Sequence, residues 1–173
     1  AGSFLAAARL KPDDPLIHYN LGMAYRALGR HQESIASFRM AVRLNPQFTT
    51  AHVALGIACA RVKSYDDAVH AFEEALRLNS EDADAHYNLG VAYLDTGRHD
   101  EALAALKEAL RIRPDYADAH FNVGTAYEAL KRYDEGVAAF KKAAQLNPTY
   151  ADFHFNLGVV HADAGRYEEA LRA

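Results

Sequence analysis

The chain has 173 residues, half of them apolar, with 19 Lys and Arg against 23 Asp and Glu for a net charge of −4. It is long enough for one ordinary domain or a short repeat array, and its acidic balance argues against nucleic-acid binding through a broad basic surface. Cys59 is the single cysteine, so no internal disulfide is expected and a reducing, cytoplasmic setting fits; no apolar run approaches a membrane span and no signal-peptide pattern is visible.

In chain order the sequence repeats itself every 34 residues. Residues 1–14 match the last part of a unit, with Phe4, Ala7 and Pro12 standing where Phe38, Ala41 and Pro46 stand one period later. The first complete unit is 15–48, with a helix expected over about 15–28 and a second over about 31–44. Gly29 ends the first helix by taking the left-handed conformation, and Pro46 blocks continuation of the second. The unit 49–82 keeps Leu55-Gly56 but has Cys59 where Tyr25 stood, Lys63 in the place of Gly29, and Ser80 in the place of Pro46. Unit 83–116 predicts helices over 83–96 and 99–112, broken at Gly97-Arg98 and stopped by Pro114. Unit 117–150 repeats the plan with Lys131 at the break. Residues 151–173 match the first two thirds of a further unit, so the chain reads as cut from a longer array.

With Pro15, Thr49, Ala83, Ala117 and Ala151 taken as position 1, each unit carries a large residue at position 4 and Leu or Val then Gly at 7 and 8. Mostly Tyr follows at 11, a small residue at 20, mostly Phe at 24, Ala at 27 and mostly Pro at 32. This pattern resembles the tetratricopeptide repeat over the whole chain. The resemblance implies an all-α, right-handed solenoid of helix–turn–helix units whose first helices line a concave, peptide-binding groove. One position departs from the family throughout: position 4 is always His (His18, His52, His86, His120, His154) in the place of the usual Trp.

Positions 4, 7, 8 and 11 share one side of each first helix and form the expected core face. The opposite side is not plainly polar. Position 5 is Tyr19, Val53, Tyr87, Phe121 and Phe155, and position 9 includes Met23 and Val91. An apolar stripe opposite the core needs a reason. Packing of position 5 on the neighbouring unit's first helix is one, and contact with a ligand is the other.

Position 6 is Asn20, Asn88, Asn122 and Asn156 in four of five units. Asn is a poor mid-helix residue, and its amide both donates and accepts hydrogen bonds. These asparagines either bond within the fold or hold the backbone of an extended peptide. The row is similar to the asparagine ladder in the repeats of O-linked N-acetylglucosamine transferases and to bacterial scaffold arrays. Position 2 holds Asp84, Asp118 and Asp152, not the Lys of the family's carboxylate clamp, so a chaperone C-terminus is not the expected guest. With Asp95, Glu128 and Asp163 these carboxylates are either a solvated acidic face, since such charges are weak alone, or the mark of a ligand with basic character toward the later units, while Arg26 and Arg61 mark the earlier ones.

The histidine row supplies one ring per unit. Neighbouring helices lie about 8–10 Å apart, far more than zinc's ~2 Å bonds bridge, so the rings are expected to pack and no metal or other cofactor is expected. No phosphate loop, nucleophile elbow or paired catalytic carboxylates appear, and Cys59 reads as core. The expected function is therefore non-enzymatic: a protein-interaction scaffold holding an extended peptide through Asn20, Asn88, Asn122, Asn156, Tyr19, Tyr87, Phe121, Phe155, Met23, Val91, Asp84, Asp118 and Asp152. Two alternatives stay open: the substrate-recognition arm of a larger glycosyltransferase, and an assembly element that self-associates through its ends.

Overall fold

The computed structural model describes residues 10–148, 151–165 and 170. Helices α1 (Pro15–Ala27), α2 (His31–Leu44), α3 (Thr49–Arg61), α4 (Tyr65–Leu78), α5 (Ala83–Asp95), α6 (His99–Ile112), α7 (Ala117–Ala129), α8 (Tyr133–Leu146) and α9 (Ala151–Asp163) follow one another. Among the described residues there is no strand, and no helix is long and apolar enough to cross a membrane. The chain forms two compact units, Ala1–Glu81 and Asp82–Ala173. The first contains α1–α4 and the second α5–α9.

Local chemistry sets the helix ends. Asp14 accepts a hydrogen bond from Leu16 N at 2.9 Å, with Pro15 at the first helical position of α1. Asp82 accepts from both Asp84 N and Ala85 N at 3.0 Å ahead of α5. These caps satisfy N–H groups that a helix leaves without partners. At the break inside each complete repeat one residue is left-handed: Gly29 at φ 71°, Lys63 at 60°, Gly97 at 74° and Lys131 at 59°. The following N–H reaches back to close the helix, from Arg30 to Tyr25 O at 2.9 Å, Ser64 to Cys59 O at 3.0 Å, Arg98 to Tyr93 O at 2.9 Å and Arg132 to Tyr127 O at 2.8 Å. This is a Schellman closure, and two lysines adopt it without glycine's freedom.

Within a repeat the two helices meet at a glycine and a large side chain. A Cβ built on Gly22 would sit 2.6 Å from Phe38, on Gly56 2.6 Å from Phe72, on Gly90 2.6 Å from Leu106, and on Gly124 2.7 Å from Phe140. Phe38, Leu106 and Phe140 are fully inaccessible and Phe72 nearly so, so the glycine is what admits them. In the second unit the core continues from Leu103, Leu106, Val123 and Tyr127 to a cluster of Val137, Phe140, Leu157 and Val160.

The histidine row joins repeats. His18 Nε2 lies 2.7 Å from Pro12 O, His52 Nε2 3.0 Å from Pro46 O and His120 Nε2 2.9 Å from Pro114 O. A carbonyl only accepts, so each Nε2 carries the proton. Each ring thereby satisfies the carbonyl of the proline six residues before it. His154 lies outside the residues whose side chains are described.

Candidate functional site

In the second unit the first helices α5, α7 and α9 carry the expected site residues at matching places. The position-5 rings are partly absorbed by the fold. Tyr87 packs on Tyr116 with ring centroids 4.7 Å apart, and Phe121 meets Phe140 edge-on at 5.4 Å. In the first unit Tyr19 lies 5.8 Å from Phe38 and 5.2 Å from Phe48. These ring partners add to the neighbouring first helix expected above, against whose residues Tyr87 and Phe121 also pack. The ring partners are the repeat's own second helix and the residue just before the next repeat. For Phe155 the residues of those two places would lie past Ala173, and its side chain is 71% exposed.

The asparagines divide. Asn88 Nδ2 donates to Asp84 O of its own helix at 2.7 Å, and Asn122 Nδ2 donates to the Tyr87 hydroxyl of the preceding repeat at 3.2 Å. Each bond uses one N–H and leaves the second N–H and the amide oxygen. Asn20 and Asn156 are half-buried, as are Met23 and Val91.

Asp84 is not an isolated acid. Arg113 donates to both of its oxygens, at 3.0 and 3.1 Å, with its guanidinium 4.5 Å from the Tyr116 ring centroid. The hydrogen bonds from Arg113, and after them its positive charge and the Tyr116 hydroxyl, lower the proton affinity of Asp84, opposed only by partial burial. Burial and the Asp84 charge push the Tyr116 phenol well above its ordinary range. Asn122, Tyr87, Tyr116, Asp84 and Arg113 thus form one polar and aromatic chain within the second unit. The network was missed from sequence because its two ions lie 29 residues apart. The available signal was that Asn45, Asn79 and Asn147 hold the place that Arg113 takes.

Asp95, Asp118 and Asp163 are exposed. Glu128 is half-buried, and burial first, then the Asp163 charge, raise its proton affinity. Asp152 lies outside the residues whose side chains are described. Among the described residues no three His, Cys, Asp or Glu side chains gather as a metal-binding group. Cys59 is buried, and desolvation raises its thiol above the ordinary value, which disfavours the thiolate.

Family models described as "Tetratricopeptide repeat" match residues 15–48 and 53–117, and one described as "TPR repeat" matches 129–165. No curated protein sequence matches the chain. Among solved structures, the MamA protein is 22% identical, covering 91% of this chain and 86% of its own, with a TM-score of 0.87. MamA 41-end from Desulfovibrio magneticus RS-1 is 23% identical over 91% of this chain and 89% of its own, with a TM-score of 0.87. YrrB, described as "a TPR protein with an unusual peptide-binding site", is 25% identical over 98% of this chain and 87% of its own, with a TM-score of 0.83. These likenesses fit an all-α helical-repeat solenoid.

Proposed function

The chain belongs to the tetratricopeptide-repeat family of protein-interaction scaffolds, and we propose that its first helices hold an extended peptide. In the second unit the contact face is Tyr87-Asn88, Phe121-Asn122 and Phe155-Asn156, with Val91 and Asp118 beside them. Tyr19, Asn20 and Met23 make the corresponding face of the first unit. The repeated face carries the reading: Tyr87-Asn88 and Phe121-Asn122 hold the same places on α5 and α7, and the amides of Asn88 and Asn122 each spend one N–H within the fold. An aromatic ring beside an amide that both donates and accepts suits a guest with apolar side chains and an unpaired backbone.

The similarity to YrrB supports the same reading, since that protein is described as having a peptide-binding site. Charge selects among guests. Asp118, Asp163 and the raised Glu128 favour a segment carrying Lys or Arg, whereas Asp84, neutralised by Arg113, acts as scaffold. An array of 12-residue peptides, with lysine-rich and glutamate-rich sets, tests the proposal against the chain and against Asn122→Ala/Asn156→Ala. Retention on lysine-containing peptides, lost in a variant of unchanged helicity, is expected. Equal retention by both proteins would move binding away from this face, and equal retention on both peptide sets would remove the charge preference.

A further inference from the structure

Three complete repeats fill one place in the same way. Tyr25, Tyr93 and Tyr127 are buried at position 11, and an arginine five residues later covers each ring. Arg30 lies 4.6 Å from the Tyr25 centroid, Arg98 4.2 Å from Tyr93 and Arg132 4.6 Å from Tyr127. In the fourth repeat a second cation arrives from the preceding repeat, Lys107 at 5.3 Å from Tyr127. The second repeat has neither member of the pair: Cys59 replaces the tyrosine and Ser64 the arginine.

The space is not closed by repacking. A cavity of about 150 Å³ lies among α2, α3 and α4, with an apolar floor that includes the buried Leu55, Cys59 and Ala71 and a polar rim that includes His52, Arg39 and Asp67. At its exposed edge Arg39, which holds the place of Lys107, donates to Asp67 at 2.8 Å, and Ser64 donates to the same carboxylate at 3.1 Å. The ion pair that Arg30, Arg98 and Arg132 make within their own repeats is here made from the preceding repeat across the cavity. A hollow of about 340 Å³ lies at the equivalent place between α5 and α6, lined by His86, Leu89, Ala105 and Glu108 with Tyr93 in its wall, so the second repeat is set apart by the lost ring and the lost arginine and not by the hollow alone.

We propose that the second-repeat cavity is a binding site for a small, neutral, monocyclic aromatic molecule of phenol type. A cavity of about 150 Å³ with an apolar floor is large enough for a benzene-sized ring. The ring would lie where Tyr25, Tyr93 and Tyr127 lie in their repeats, with Arg39 placed as Lys107 is to meet its face. The mixed signs at the edge, Arg39 and His70 against Asp67 and Glu74, suit a neutral hydroxyl better than a charged substituent.

The test uses p-cresol with the full chain. In an amide chemical-shift titration at millimolar p-cresol, residues 52–59 and 67–74 should move and the equivalent residues 120–127 and 135–142, where Tyr127 fills the place, should not. Cys59→Tyr should restore the missing ring and weaken p-cresol binding at least about tenfold, a factor worth about 1.4 kcal/mol, and it should raise the melting temperature without ligand. No shifts at 52–59 and 67–74, or equal shifts in both stretches, would overturn the proposal even if Cys59→Tyr failed to fold. Equal p-cresol affinity in a folded Cys59→Tyr would overturn it as well.

Discussion

The amide of Asn122 on α7 donates to the hydroxyl of Tyr87 on α5 at 3.2 Å, a bond between consecutive repeats. An asparagine expected to serve a ligand therefore also serves the scaffold. A hydrogen bond of this kind contributes about 0.5–1.5 kcal/mol net. Tyr87→Phe keeps the ring against Tyr116 and removes the acceptor, so it should cost about that much. Urea unfolding of Tyr87→Phe, Asn122→Ala and the double variant should be non-additive, with a coupling of about 0.5–1 kcal/mol. Strict additivity would mean that the bond stabilises nothing.

Two glycines separate packing from backbone. At Gly56 a Cβ would lie 2.6 Å from Phe72, which is 1% exposed and has no room to withdraw. Gly56→Ala should destabilise by about 1–3 kcal/mol, the range for overpacking, or roughly 2–12 °C for a chain of this size. At Gly97 nothing lies within 4 Å of a Cβ, but φ is +74°. Gly97→Ala should cost only the left-handed backbone term, about 1–2 kcal/mol. A Gly56→Ala melting temperature equal to wild type would contradict the close helix approach.

The lysines at left-handed positions give the reverse experiment. Lys63 and Lys131 hold φ of 60° and 59° where their sister repeats use glycine. Replacing either with glycine relieves backbone strain but increases the freedom of the unfolded chain. The expected net gain is up to about 1 kcal/mol for Lys63→Gly or Lys131→Gly, read as a higher denaturation midpoint at unchanged slope. A loss for both would show that the lysine side chains stabilise the breaks.

Glu128 predicts a pH dependence of defined sign. Burial, then the Asp163 charge, raise its folded-state proton affinity above the unfolded value near 4.5. The native state then binds the proton more tightly, so this group's contribution to stability falls as pH rises above that value. Glu128→Gln should be more stable than wild type at pH 7, and the difference should vanish as pH is lowered toward 4.5. A peptide that places a lysine beside Glu128 should reduce the gap. Melting curves of the two proteins across that window test this, and a difference independent of pH would contradict it.

The repeat made the helices readable because period, glycine and proline each have a strong local cause. Residues 83–96 and 99–112 were expected as helices, and the helices run Ala83–Asp95 and His99–Ile112. The site was less readable because its partners come from other repeats or from a single departure. Nothing local to Asp84 announces Arg113, and nothing in Tyr87 announces that Tyr116 will cover it. Cys59 was visible as an exception to the tyrosine pattern, but it reads as ordinary core until Ser64 is seen to have lost the covering arginine too. The histidines were expected to pack, and their proline-carbonyl partners become apparent only when successive repeats lie side by side.

The central claim is that the first helices hold the peptide. An amide chemical-shift titration of the isotope-labelled chain with a lysine-containing peptide retained on the array measures it most directly. The shifts should concentrate at residues 87–91, 121–125 and 155–159 on α5, α7 and α9, with α6 and α8 quiet. Shifts confined to α6 and α8, with the first helices unchanged, would place the peptide on the opposite side of each repeat and contradict the account.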